Sequence, residues 1–575
     1  MTSEPMTSEA RHHAAVRWLA LGSLLVAGIG ACTVDGDQCA VDGDCAALLG
    51  VAPEQAQCVL GVCGRRTTAL AAGDGGAERS CQTTKDCTAE GDTAFCREGR
   101  CVPILTGGIS EVSQNYSAGD PIFIGALAPI NLEVPGGTVE SVYDKIRTDG
   151  IRLASDDWNA ATAGAVTVGA ARRAISLAIC DTNASLDKLN SCFDAMTTGL
   201  RAPIVLVSNN EEVETLLPRA LERDVVLYCT DCEPSRLPIQ NTEGHVWFGF
   251  PSVKVLSPIR TRWLERLEAQ VRGERLGPLP AKFKVAVVGA QSLVSLDTLV
   301  GGVTFNGQSA AQNQAAGTLL TKIIDDNAPS DYRALADELA AFGPDVIIVA
   351  NLGRLFHFYV MPEIEARWPR DAKGSPLRPL PRYLTSAQEA YAFRFERSVG
   401  ANDDLRRRVT GVQYHSSDPK LDENQRLFFG AFRASTRFGY DPANIGTGFE
   451  SFYVASFAIA AGFQLSSANP AALRGRDVIA ALRRLSFDAA DPGALVDVRA
   501  NEIARGLTLL AGRQRIDLRG LQSSLDWDPA TGEVAADAAI YCVKRDGAFS
   551  LGDVWIYDAR TKQPVGEPKP DVCGL

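Results

Sequence analysis

Three polar groups stand where chemistry could be done: Cys180-Asp181-Thr182, Ser208-Asn209-Asn210 and Cys229-Thr230-Asp231-Cys232. Between them they offer carboxylates, hydroxyls, amides and a Cys-x2-Cys pair, a set suited to gripping a small polar solute or, at the pair, to thiol–disulfide exchange. Exchange needs a thiolate stabilised at a helix start, and Asp231 and Glu233 beside this pair would raise its pKa instead. A structural disulfide that stiffens the loop is the favoured reading. Hydrolytic and phosphoryl chemistry have little to work with. His245, His357 and His415 are the histidines beyond the leader, and the chain has no His-x-x-Glu-His, no Gly-x-Ser-x-Gly elbow and no Gly-x4-Gly-Lys phosphate loop. The chain therefore reads as a binder rather than an enzyme, and no catalytic residue, metal ligand or cofactor is assigned.

Each polar group ends an apolar run, at 175–179, 203–207 and 225–227, and segments of helical character separate the runs. Short β-branched runs of this kind are buried parallel strands covered by helices on both faces, with room for a right-handed crossover between each pair. Ligands of open α/β sheets sit outside the carboxyl ends of the strands, so the three tips should share one rim. A further buried run, 122–128, opens this lobe, and the pattern restarts at 284–289, continues after a helix over 331–342 into 345–351, and adds strands at 382–386 and 410–414. Helices over 423–438 and 449–465 follow without a strand between them. Phe428, Phe429 and Phe432 have helical spacing and read as core rather than as a ligand cage. A small antiparallel set, 522–527, 539–544 and 554–557, closes the chain.

The N-terminus bears on the compartment. Arg11 and Arg17 precede an apolar run over 18–29, too short for a membrane span and of the length of a signal-peptide core. It ends Ile29-Gly30-Ala31-Cys32, which resembles a bacterial lipobox and implies a signal peptide over 1–31 and a lipid on Cys32. The alternative is cleavage and secretion, with Cys32 an odd thiol. Removing Cys32 from the 15 cysteines leaves an even number, suited to disulfides in an oxidising compartment. Cys39-x5-Cys45-x12-Cys58-x4-Cys63 is repeated as Cys81-x5-Cys87-x8-Cys96-x4-Cys101. Units this small cannot hold a core, so two disulfides in each take its place, and a zinc site would need reduced thiolates and closer spacing. The module, 32–106, reads as a spacer or docking knob, and Gly-, Ala- and Ser-rich stretches at 67–79 and 107–119 read as linkers. Cys180 can meet Cys192, and Cys542 with Cys573 would pin the tail. The formal net charge of −12 and the lack of a basic stripe argue against nucleic acid, and membrane contact is expected through the lipid alone.

The order of elements and several local strings resemble the type I periplasmic binding proteins, in particular the leucine/isoleucine/valine-binding branch of ABC-transporter receptors. The strings are Ile124-Gly125-Ala126-Leu127-Ala128-Pro129, Ala341-Phe342-Gly343-Pro344-Asp345-Val346-Ile347-Ile348-Val349, the helix ending at Tyr440-Asp441-Pro442, and Leu525-Asp526-Trp527-Asp528-Pro529-Ala530-Thr531-Gly532. The resemblance implies an α/β fold of two doubly wound, Rossmann-like lobes after a small disulfide-rich module. Lobe 1 would be 120–255 and 421–514, and lobe 2 would be 256–420 and 515–575. Three hinge crossings would lie near 250–258, 414–421 and 512–520. It also implies a solute-binding lipoprotein of the cell envelope, facing the periplasm or cell surface, that closes on a small polar, amino-acid-like ligand and serves an ABC permease. In lobe 1 the family's contact loops fall on Ser208, Asn209 and Asn210 and on Thr230 and Asp231, and Asn131 and the strand-end Asp181 are further ligand-binding candidates. In lobe 2 the family's positions fall on Asn351, Gln388, Glu389 and Tyr391, with Glu389 as the acid for a ligand ammonium. Glu211, Glu212 and Glu214 after the serine turn suit the helix dipole, yet would repel a ligand carboxylate. The rival expectation is an outer-membrane lipoprotein that regulates a protein partner such as a cell-wall synthase.

Overall fold

The structure, a computed structural model, describes residues 56–59, 62–65, 79–88, 93–134, 137–168, 171–232, 234, 243–274, 282–290, 302–324, 332–350, 352, 355–386, 399, 402–414, 418–434, 446–465, 473–488, 490–521, 523–544, 555–558 and 563–569. The chain divides into two compact units, Met1–Glu78 with Pro135–Gly137, and Arg79–Val134 with Thr138–Leu575. The described part of the first is a hairpin, Ala56–Val59 against Val62–Arg65, with Cys58 opposite Cys63. Cys32, Cys39 and Cys45 lie outside the described residues.

The second unit is built on two sheets. In the first, β1 (Ile109–Val112), β2 (Asp120–Ala128), β3 (Ala171–Asp181), β4 (Ile204–Val207), β5 (Val226–Cys229) and β6 (Val246–Phe248) lie in the order β6-β5-β4-β2-β3-β1. Pairs along this path are parallel except β1, which runs antiparallel to β3. The runs are continuously apolar because both faces are covered. On β2, Ile122, Ile124 and Ala126 enter one core while Phe123 and Leu127 enter the other, the alternation that a strand imposes. Helices α1 (Val142–Thr162), α2 (Leu186–Asp194) and α3 (Asn210–Arg223) connect the strands.

The second sheet contains β7 (Val285–Ala290), β8 (Leu319–Ile324), β9 (Val346–Ala350), β10 (Arg382–Thr385) and β11 (Val409–Tyr414), all parallel, in the order β8-β7-β9-β10-β11. α4 (Ser257–Glu274) and α5 (Tyr332–Phe342) cover its two faces, with Trp263 and Leu264 in one core and Leu339 in the other. The chain then returns to the first lobe through α6 (Pro419–Ala434) and α7 (Gly446–Leu465). α7 is buried nearly all round, from Phe449 to Phe463, and forms the centre of the first lobe's larger core. Phe428 and Phe432 of α6 join it there, Phe428 lying 4.8 Å from Phe449 between ring centroids. Among the described residues no helix is long and apolar enough to cross a membrane.

The final segment belongs to both lobes, and here expectation and structure part. β12 (Ala494–Asp497) and β13 (Ile516–Arg519) form a parallel pair, and β14 (Asp526–Trp527) pairs antiparallel with β15 (Val534–Ala535). Ile516, Leu518, Leu521, Leu525, Trp527 and Val534 all lie in the first lobe's core. Only from β16 (Ala538–Cys542) does the chain join the second sheet, pairing antiparallel with β11 and followed by β17 (Trp555–Asp558) and β18 (Gln563–Val565). The third crossing is therefore at 535–538 rather than 512–520, and 515–534 belongs to lobe 1. Trp527 holds the segment there. Its ring meets Trp247 at 5.8 Å and Tyr228 at 6.4 Å edge-on, and its Nε1 donates to the Phe248 carbonyl at 2.8 Å.

Two further expectations are corrected. The stretch 107–119 is not a linker: it carries β1, and its polar side chains serve the neighbouring backbone. Ser113 Oγ accepts the Leu177 N–H at 2.9 Å and Asn115 Nδ2 donates to the Ile175 carbonyl at 2.9 Å, so polarity here reflects hydrogen bonding and not solvation. The second cysteine repeat is not a spacer. Its bridges are Cys81–Cys96 and Cys87–Cys101, and they present Phe95 to the lobe, where it meets Phe123 at 5.1 Å in the core. Arg97 adds a hydrogen bond to the Gly199 carbonyl at 2.5 Å.

Candidate ligand-binding site

In both lobes the parallel strands run in the spatial order second, first, third, fourth, fifth, which places a reversal of strand order between β2 and β4 in one lobe and between β7 and β9 in the other. Crossings leave from the carboxyl ends of β6 and β11, and β16 enters with Ala538 opposite Tyr414, the last residue of β11. The carboxyl rims of the two sheets therefore border the same connections. Tyr414 ties two crossings together: its ring packs edge-on against Phe250 at 4.8 Å and its hydroxyl donates to the Pro251 carbonyl at 3.0 Å. At the second crossing Asp418 pairs with Arg519 at 2.7 Å, and Arg519 also pairs with Asp497 at 2.6 Å.

The first lobe's rim is described in detail. Asp181 ends β3, in register with Ala128 at the end of β2. Its Oδ1 accepts the Asn131 N–H at 3.2 Å and the Asn183 N–H at 3.0 Å, and Asn131 Nδ2 donates to Oδ2, so the structure brings Asn131 and Asp181 together. Ser208 and Asn209 follow β4 at the start of α3, whose first residue is Asn210. Asn209 is the N-cap and its side chain accepts the Glu212 N–H at 3.0 Å. Glu212 then folds back, and its Oε2 accepts both the Ser208 N–H at 2.5 Å and the Ser208 hydroxyl at 2.9 Å. Its side chain is buried. Burial pushes the Glu212 carboxyl up to about 7, against the opposing pull of the Ser208 hydrogen bonds and of Arg147 on α1. Thr230, after β5, is buried and sends both its N–H and its hydroxyl to the Val207 carbonyl, at 2.9 and 3.2 Å. Asn210 is buried and Asp231 half-buried.

The rim is stiffened by two disulfides. Cys180–Cys192 joins the end of β3 to α2, and Cys229–Cys232 closes the loop that carries Thr230 and Asp231. All four cysteines are buried, and the Cys229 carbonyl accepts the Gly249 N–H at 2.7 Å. Cys229 and Cys232 form a disulfide, as the structural reading of the Cys-x2-Cys pair requires. Cys542 is also disulfide-bonded, and Cys573 lies outside the described residues. So do Asn351, Gln388, Glu389 and Tyr391, the four candidates of the second lobe. Sequence reading assigned Glu212 only a charge, not the part it plays here. The signal was the spacing Asn209-x-x-Glu212, that of a capping box. Tyr414 and Phe250 carried no comparable signal.

No family model matches the chain, and no curated protein matches it. Solved structures do. The branched-chain amino acid transporter substrate-binding protein of Streptococcus pneumoniae, in complex with isoleucine, is 14% identical, with 75% of this chain and 98% of that one covered and a TM-score of 0.45. A branched-chain amino acid ABC transporter protein of Thermus thermophilus with bound valine is 12% identical over 78% and 97%, with a TM-score of 0.49. A solute-binding protein of an ABC transporter from Rhodopseudomonas palustris, in complex with 3,4-dihydroxybenzoic acid, is 13% identical over 76% and 98%, at 0.47. By their own strand order, the described residues from Ile109 onward form two α/β lobes, each built on a parallel sheet of the same order, which is the two-lobed arrangement that the resemblance to type I periplasmic binding proteins implies.

Proposed function

We propose that this protein is an extracytoplasmic solute-binding protein, tethered by a lipid on Cys32, that captures a small polar ligand between its lobes as the receptor of an ABC importer. The observation that supports this most is topological: two sheets of the same strand order border the same crossings with their carboxyl rims, where ligands of such sheets bind. Rigid lobes on short connections suit a ligand that selects the closed arrangement by touching both. Lobe 1 contributes the rim of Asp181, Ser208 and Thr230, held by two disulfides. In this reading lobe 2 contributes Asn351, Gln388, Glu389 and Tyr391.

The test is thermal unfolding of the full-length protein, disulfides intact, against amino acids, amines, amides, aromatic acids and sugars. A ligand that binds only the folded state must raise the midpoint with concentration. At least one solute is expected to do so, and Glu389→Ala should abolish the response while leaving the unliganded midpoint in place. A panel without a single shift, together with a protein partner captured by cross-linking, would replace this reading with the regulatory one.

A further inference from the structure

Lobe 2 has a cavity at the end of its sheet opposite the carboxyl rim. It holds about 380 Å³ between α4, the first residue of β10 and the short helix Asp403–Arg408 that leads into β11. β10 and β11 begin here, so the cavity lies at their amino ends and is separate from the rim that borders the crossings. Its walls carry Arg266 from α4, Arg382 from β10, and Arg407 and Arg408 from the short helix, and among the described residues no carboxylate lines it. In a chain of net charge −12 this is a local reversal of sign. Repulsion from the whole chain is screened over about 10 Å, so within the cavity the arginines decide. The Arg266 guanidinium lies 6.0 Å from the centre of the Trp263 ring, and Trp263 Nε1 donates to the Thr410 hydroxyl at 3.0 Å, which closes the wall behind it.

Arginines on a surface are often consumed by ion pairs, and here only one of the four is. Arg408 gives its donors to Glu365, Asp404 and the Pro381 carbonyl. Arg382 gives only Nη2, to the two Glu274 oxygens at 2.8 and 3.0 Å, and Arg407 only Nε, to Asp403 at 3.1 Å. Arg266 has no hydrogen bond or ion pair among the described residues. Arg382 Nε and Nη1, both Nη groups of Arg407 and the whole Arg266 fork are left without acceptors around one cavity. An adjoining cavity of about 470 Å³ shares Arg382, Arg407 and Arg408 but adds Glu274, Asp345 and Asp404. Negative charge is therefore favoured on the Arg266 side and opposed on the other.

We infer that this cavity is a second ligand site, on lobe 2 and outside the cleft, in which Arg266, Arg382 and Arg407 bind a phosphomonoester. A single carboxylate, with two oxygens and one charge, would leave most of these donors idle. A phosphomonoester brings three terminal oxygens and about two negative charges at pH 7, which suits several guanidinium forks at once. The volume lies within the range of about 300–1,000 Å³ usual for small-molecule sites, so the ester's alcohol is accommodated as well. That alcohol is either a soluble molecule or the glycerol of a lipid, and the chemistry at the arginines is the same for both. The inference does not depend on solute capture in the cleft.

The experiment is calorimetric titration of the full-length protein at pH 7 and low salt, disulfides intact. The probes are glycerol 3-phosphate, a short-chain phosphatidic acid below its micelle concentration, and acetate and glycerol as controls. The wild type is expected to bind one equivalent of a phosphomonoester at least tenfold more tightly than acetate, more weakly as salt rises, and to ignore glycerol. Tighter binding of glycerol 3-phosphate identifies a soluble ester as the ligand, and tighter binding of the phosphatidic acid a lipid headgroup. Arg266→Gln and Arg407→Gln, both at exposed side chains, should each weaken the ester about tenfold, the loss of a charge-assisted hydrogen bond or two. Arg262→Gln removes the same charge from an exposed position of α4 outside the cavity and should leave the affinity within about twofold. Equal loss in all three variants, or an ester bound as well by Arg266→Gln and Arg407→Gln as by the wild type, overturns the site. So does a wild type that binds neither ester, or binds acetate equally well, and that result stands even if a variant fails to fold.

Discussion

Burial moves two carboxyls of the first lobe in the same direction, Glu212 up to about 7 and Asp157, beside Tyr453, up to about 6. A carboxyl whose folded pKa lies above its unfolded value favours folding while both states are protonated, and that contribution is lost as pH rises through the folded pKa. Stability should therefore fall between about pH 4.5 and pH 7, with a Glu212 contribution on the order of 3 kcal/mol. Glu212→Gln, which mimics the protonated acid, should match the wild type near pH 5 and exceed it above pH 7. Denaturant unfolding across that range measures it, and parallel curves would show that Glu212 does not titrate this way. At this scale the sequence was half legible. The acids after Ser208 were visible, and so was their conflict with a ligand carboxylate. What could not be read was the direction Glu212 takes, because a side chain at a helix start can point to solvent or fold back, and burial decides between them. Asp181 was recognised as a strand-end acid, but its partners Asn131, which opens the short strand Asn131–Val134, and Asn183, in a turn, are brought to it only by the packed sheet.

Elements with both faces covered were the easiest to read. β2 to β5, β7, β9, β10 and β11 are apolar runs because helices cover both faces of their sheets. β8 was missed for the converse reason. It is an edge strand whose middle, Leu320 to Ile323, is only partly buried or exposed, so its residues need not form an apolar run. β1 was mistaken for a linker because its neighbours Ser113 and Asn115 spend their polar groups on the β3 backbone. The segment through β13 and β14 was assigned to the wrong lobe, since two short strands and a turn look alike in either. Trp527 decides it, being 5% exposed within the first lobe's core. Trp527→Ala should cost about 3–5 kcal/mol of lobe-1 stability, the range for emptying a large buried aromatic site. Chemical denaturation with disulfides intact reads this, and a cost under about 1 kcal/mol would mean that the segment is not part of that core.

At the scale of the molecule, the formal net charge of −12 disfavours anionic partners, and the chain passes between two sheets of the same strand order. The described residues beside the crossings are braced, by Tyr414 on Pro251 and by Arg519 between Asp418 and Asp497. The second cysteine repeat, through Phe95, moves with lobe 1. Closure about a solute is the central claim, and small-angle X-ray scattering of the full-length protein tests it most directly. Each solute that raises the unfolding midpoint should also shrink the radius of gyration, saturably and at the same half-saturating concentration. A solute that raises the midpoint and leaves the scattering curve unchanged at saturation would contradict closure, and would place its binding on a single lobe.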